Sequence, residues 1–176
     1  MRKSVDAAWF FFLENAKKIV PGSTISAHDY LLYYDDTQFK GRSAEISIAE
    51  WVGLCSVLAD RPVTQSTAIV GEIKQSGTLG EIKNLEAIVR VAKNCGARKL
   101  LLPVQCMAGL MLVSGELLSA LQPVFYVDPV DSTRKALDIF LGVASNTNAN
   151  PMGWHLCAYC ISVSPLHLAP ALRPNV

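Results

Sequence analysis

AIVGEIKQSGTLGEIKNLEAIVRVAKNCGARKLLLP, residues Ala68–Pro103, carries the punctuation that decides the fold. It reads as strand, tight turn, strand, helix, strand. Ala68–Lys74 is an apolar run broken by Gly71-Glu72. Ser76-Gly77 supplies the turn, because glycine takes a positive φ at no steric cost. Thr78–Ile82 predicts the returning strand. Asn84 is the expected N-cap, since its side-chain oxygen can accept an orphan amide of the first turn. Leu85, Ile88, Val89 and Ala92 recur at i, i+3, i+4 and i+7, the apolar stripe of an amphipathic helix. Gly96 stands where a left-handed C-terminal cap belongs. Lys99–Leu102 is a short apolar strand that Pro103 stops.

Upstream, Ser4–Ile19 predicts a helix with Val5, Ala8, Trp9, Phe12, Leu13, Ala16 and Ile19 on one face, ended by Pro21-Gly22. Such a stripe reads as packing surface. His28–Tyr34 is an aromatic-rich strand with His28 a polar residue at its edge. Asp35-Asp36 follows, but neighbours on a strand point to opposite faces, so they do not form a carboxylate pair. Thr37–Arg42 is a polar loop, and Ser43–Ala59 predicts a second helix with Cys55 as a small buried hydrophobe. Downstream come a short helix at Met107–Val113 and a strand at Val124–Val127. The last helix is Asp131–Val143, capped by Asp131 or Ser132, with Leu137, Phe140 and Leu141 on its face. SNTNANPMG from Ser145 is linker-like, which divides the chain into a domain over 1–144 and a tail over 145–176.

The 176 residues are 51% hydrophobic and 18% charged, enough apolar surface for one sizeable core. A net charge of +1, without a Lys/Arg cluster, leaves no electrostatic footprint for nucleic acid. Five cysteines at irregular spacing imply reduced thiols and a cytoplasmic setting. Asp6 and Glu14 interrupt the aromatic N-terminal stretch, so neither a signal peptide nor a membrane span is expected. In the tail, His155, Cys157, Cys160 and His167 form a zinc-like set, although the usual second Cys pair is absent.

Arg61-Pro62-Val63, then AIVGEIKQSG, an amphipathic helix, Gly96 and KLLLP together resemble the proteolytic domain of Lon proteases. The likeness runs from Ile25 to Val143, without gaps from Glu45 to Pro103. It implies an α+β, Lon proteolytic-domain-like fold (ribosomal protein S5 domain 2-like), with a mixed sheet and packed helices. Lon peptidases use a Ser–Lys dyad, a hydroxyl nucleophile with a lysine amine to take its proton. Gly41-Arg42-Ser43-Ala44 resembles the serine motif. The family serine, however, stands seventeen positions before the Pro of the Pro-Val turn, which is Glu45 here. Choosing Ser43 needs two extra residues inside a helix, a rotation of roughly 200° for every later core position. The lysine stands seventeen positions after the Gly of Gly-Glu-Ile, which is Ile88. Lys83 and Lys93 each miss that place by five residues.

A narrower resemblance is to the Lon-related C-terminal domain of the BREX phage-defence AAA+ ATPase family. It rests on EISIAEWVGLCSVLADRPV, GEIKQSGTLGEIKNLEAI and PVFYVDPVDSTRKAL. That family implies an AAA+ ATPase module or chain as partner, ATP bound there, a homo-oligomeric ring, and DNA contact through the full-length protein. This chain has no Gly-x-x-x-x-Gly-Lys-Ser/Thr loop and is expected to hold no cofactor of its own. Glu45, Ile88 and Glu72 then mark a relic site. Glu72 lies in the region that lines the active face in Lon enzymes, and Glu45 could pair with Lys83 or Lys40. The expected function is a non-catalytic oligomerisation or docking domain. The alternatives are an active ATP-dependent Ser–Lys peptidase using Ser43 and Lys83, and another protein of the broader fold.

Overall fold

The computed structural model describes residues 2–27, 29–34, 44–139, 154–156 and 161–163. In chain order its elements are α1 (Arg2–Asn15), β1 (Leu32–Tyr34), α2 (Ser47–Leu58), β2 (Thr67–Ile69), α3 (Leu85–Asn94), β3 (Lys99–Pro103), α4 (Met107–Leu110), α5 (Gly115–Leu118), β4 (Gln122–Tyr126), α6 (Pro129–Ala136), β5 (Trp154–Leu156) and β6 (Ile161–Val163). The class is α+β. In place of one mixed sheet, the strands form two sheets. β2, β3 and β4 are parallel and adjacent in that order, while β1, β6 and β5 are antiparallel.

The parallel sheet is covered on both faces, which is the usual condition of parallel sheets. Side chains alternate across a strand. Ile69 and Leu101 therefore join one core with Phe12 of α1, Ile48 and Trp51 of α2, and Ala136 of α6. Their neighbours Ala68, Val70, Leu100 and Leu102 join a second core with Ile88 and Val89 of α3 and Leu110 of α4. Leu100, Leu101 and Leu102 are all fully buried. Each such side chain contributes about 1.5–3 kcal/mol on leaving water. β4 is an edge strand, blunted by Pro123, which offers no amide, and by Lys135, whose ammonium donates to the Phe125 carbonyl at 2.6 Å.

α1 buries Ala8 and Phe12, with Ala16 just beyond it, but turns Leu13 out to 46% exposure. Each helical step is 100°, so Leu13 falls past the stripe that Ala8 and Phe12 centre. The chain then turns at Gly22, whose φ is +82°. The predicted hairpin also changes. β2 stops at Ile69, and the hairpin is reduced to one bridge, Ile73 with Leu79, flanked by the bonds of Lys74 N–H to the Thr78 carbonyl at 2.9 Å and Gly80 N–H to the Glu72 carbonyl at 2.8 Å. Beyond Ile69 the backbone is taken by the start of α2. Gly71 N–H donates to the Glu45 carbonyl at 2.7 Å, Ile48 N–H to the Gly71 carbonyl at 3.1 Å, and Ile73 N–H to Ser47 Oγ at 2.7 Å. The turn itself forms as expected. Gly77 has φ +76° and its amide reaches the Lys74 carbonyl at 2.8 Å.

Asn84 precedes α3 but sits in the left-handed region, at φ +53°, and its side chain makes no cap bond. Side-chain capping belongs to an extended backbone at that position. At the other end Gly96 has φ +76°, and Ala97 N–H reaches back to the Ala92 carbonyl at 3.0 Å, as the cap rule predicts. α6 begins earlier than Asp131. Its N-cap is Asp128, whose Oδ1 accepts Asp131 N–H at 2.8 Å, with Pro129 in the first turn. Asp131 Oδ2 accepts Val127 N–H at 3.0 Å and Lys135 Nζ at 2.8 Å. Asp128→Ala is expected to cost about 1 kcal/mol, a drop of about 3 °C in thermal midpoint. Asp128→Asn should keep most of that stability, and equal losses in the two variants would refute the cap.

β6 pairs residue for residue with β1, Leu32 with Val163 and Tyr34 with Ile161. His28, Asp35, Asp36, Phe140 and Leu141 lie outside the described residues, as do the linker over 145–153 and Cys157, Cys160 and His167. Of the zinc-like set only the backbone of His155, in β5, is described. Among the described residues no group of three His, Cys, Asp or Glu could hold a metal, and no helix is long and apolar enough to cross a membrane.

Candidate functional site

The positions that spacing singles out stand at the starts of two helices, Glu45 just before α2 and Ile88 in the first turn of α3, and Glu45 bonds both to the exit of β2 and to the residues before α3. Glu45 lies half-buried on a single 3-10 turn, Ala44–Ile46, just before α2. Its carbonyl holds Gly71, and its carboxylate Oε1 accepts the backbone N–H of Lys83 at 2.9 Å. Glu45 thus meets Lys83, but at the amide rather than at the ammonium. Lys83 is exposed, whereas a lysine base needs a dry pocket to favour the neutral amine. Lys93 donates its Nζ to the Glu116 carbonyl at 2.8 Å. Ser43 lies outside the described residues.

Ile88 is 5% exposed and packs in the second core with Val89, Ala92 and Cys106. It is an aliphatic wall and carries no proton to exchange. Burial pushes the Cys106 thiol up from its ordinary range, and the Glu45 carboxylate pushes it further. That environment suppresses thiolate, so Cys106 is a poor nucleophile. Sequence reasoning missed this neighbour, because sixty-one positions separate it from Glu45 and no periodicity links them.

Ser47 was missed as well. It is buried, donates to the Ala44 carbonyl at 2.9 Å and accepts from Ile73 N–H. A hydroxyl engaged on both sides serves the backbone. A serine in the first turn of a helix was the local signal for this. Glu72 is half-buried and lies over Gly80. Any Cβ at residue 80 would strike the Glu72 carboxylate, and Gly80 N–H donates to the Glu72 carbonyl at 2.8 Å.

Glu72 also lines an open groove of about 1560 Å³ between α1, the Glu72–Gly77 turn and the start of α6. Phe10, Phe11, Lys18, Asp128 and Arg134 contribute to its walls. Glu45, Lys83 and Ile88 do not. Ala44 and Ser47, on either side of Glu45, do line it.

The chain is similar to the Lon-like protease BrxL of Bacillus cereus, with 32% identity over 138 residues, 78% of this chain and 20% of that protein. It is also similar to the Lon-like protease BrxL of Escherichia coli, at 28% identity over 138 residues, again 78% of this chain and 20% of the relative. The match spans about a fifth of the length of these relatives. No family model matches the chain.

Proposed function

Because this chain is a relative of the Lon-like BrxL proteins over 138 of its residues, we propose that it is a non-catalytic Lon-like domain of a BREX-type phage-defence protein. Its role is oligomerisation or docking, with ATP bound on an associated AAA+ module or chain. The domain takes the Lon proteolytic-type, ribosomal protein S5 domain 2-like fold over 1–144. It acts in the cytoplasm, in a homo-oligomeric ring, with any DNA contact made through the full-length protein.

One observation carries the reading. The two positions that spacing assigns to the dyad are filled by a carboxylate bound to a backbone amide and by a buried isoleucine. A carboxylate cannot deliver the hydroxyl oxygen that acyl transfer needs, and isoleucine cannot take its proton. Glu72, the third member of the relic, is packed on Gly80.

The test pairs an assay with a mass. The purified chain, with and without its cognate ATPase and ATP, is incubated with an unstructured fluorogenic peptide, and its mass is read by light scattering. The expected result is no cleavage that Ser43→Ala abolishes, together with a mass above the monomer. Cleavage lost in Ser43→Ala and in Lys83→Met would establish the Ser–Lys peptidase instead. A monomer at all concentrations, alone and with the ATPase, would refute oligomerisation.

A further inference from the structure

Two of the bonds that Glu45 makes run in different directions. Its carbonyl accepts Gly71 N–H at 2.7 Å, and its carboxylate accepts Lys83 N–H at 2.9 Å across thirty-eight residues of chain. The first bond uses the main chain, so any residue at 45 could make it. The second depends on side-chain length.

The start of α3 is where that length matters. Asn84 has left-handed backbone, at φ +53° and ψ +46°, and gives no side-chain cap. Its carbonyl still accepts Ile88 N–H at 3.2 Å, which begins the helix that puts Ile88 in the core. The residue just before it, Lys83, is held from a distance, by Glu45.

We propose that Glu45 is a positioning residue that clasps the start of α3 to the start of α2 and the exit of β2. The three segments that surround the candidate site are then fixed by one side chain and its own carbonyl. A serine here would end two bonds short of the glutamate oxygen and could not reach Lys83. The site would therefore not return to a dyad by exchanging residue 45 alone, because the same exchange frees α3. The clasp rests on the two hydrogen bonds. Only its link to a lost dyad rests on the reading proposed above.

Amide hydrogen exchange resolved at Lys83 tests it in the full chain. Glu45→Gln keeps an oxygen at the same reach, and its Lys83 exchange should stay within about threefold of the parent. Glu45→Ser and Glu45→Asp lose the reach, and exchange at Lys83 should rise about tenfold or more, while Leu101 keeps its protection. Should the serine variant not fold, the aspartate variant decides, since it keeps the charge and loses one methylene. Parent-like exchange at Lys83 in Glu45→Asp would overturn the clasp, and so would loss of protection in Glu45→Gln equal to that in Glu45→Asp. Ser43-dependent peptide cleavage would sink the non-catalytic reading and leave this result untouched.

Discussion

Gly71→Ala is expected to destabilise the chain by about 3–5 kcal/mol, read as a fall in the urea midpoint at constant slope. A methyl group at residue 71 would overlap Tyr126 Oη and stand 2.7 Å from Ile48 Cγ1. Neither neighbour can retreat easily. Ile48 is fully buried in the first turns of α2, and Tyr126 is fully buried at the end of β4. Tyr126 Oη donates to the Val70 carbonyl at 2.7 Å. Burial pushes the Tyr126 hydroxyl well up, so it keeps its proton and remains a donor. To admit the methyl, the ring must shift, the bond to Val70 breaks, and a buried carbonyl is left unpaired. Overpacking costs about 1–3 kcal/mol, and the orphaned group about as much again.

Gly71 is not among the positive-φ glycines, so the argument is one of space alone. That makes it separable. Tyr126→Phe removes the oxygen that the methyl would meet. In that background Gly71→Ala should cost at least about 1 kcal/mol less than in the parent, a coupling that a double-mutant cycle measures. Equal costs in both backgrounds would show that Tyr126 is not what excludes the methyl.

The same neighbourhood explains which parts of the fold were legible. The stripe of Ile88, Val89 and Ala92, the left-handed Gly96 and the strand after it are written in local period and punctuation, and they formed as read. The returning strand of the hairpin, read over Thr78–Ile82, formed only in part. It pairs only beside the turn, where Lys74 N–H donates to the Thr78 carbonyl at 2.9 Å and Gly80 N–H to the Glu72 carbonyl at 2.8 Å, while Gly71 and Ile73 are engaged by Glu45, Ser47 and Ile48, some twenty-five residues away. Asn84 has the composition of a cap, but its backbone conformation is not a local property and denies it that role. Asp128 was within reach of the sequence, because Asp-Pro is an N-cap followed by the favoured first-turn residue, and the aspartate at 131 drew attention from it. In the candidate site, counting located Glu45 and Ile88. It could not say that Glu45 would bind the Lys83 amide rather than its ammonium. Opposite charges suggest a pair, whereas the choice of atom depends on where α3 begins.

Trp51→Ala is expected to cost about 3–5 kcal/mol, the second large effect. Trp51 is fully buried on α2 and packs edge-on with Phe11 at 4.9 Å and Phe12 at 6.1 Å between ring centroids. Its Nε1 donates to the Pro129 carbonyl at 2.7 Å. That carbonyl, in the first turn of α6, also accepts the Ser132 hydroxyl at 2.6 Å. One side chain therefore joins α1, α2 and α6 on the same face of the parallel sheet. Trp51→Phe separates the two contributions. It retains most of the ring and loses the N–H, and should cost about 1–3 kcal/mol. The alanine variant also removes the surface on which Phe11 and Phe12 rest, so amides of α1 should exchange faster well below the unfolding midpoint. In the phenylalanine variant they should stay close to the parent. Losses under about 1 kcal/mol in both variants would mean that α1 is held by something other than this ring. Faster α1 exchange in Trp51→Phe would mean that the bond to Pro129, rather than the aromatic packing, sets the position of α2.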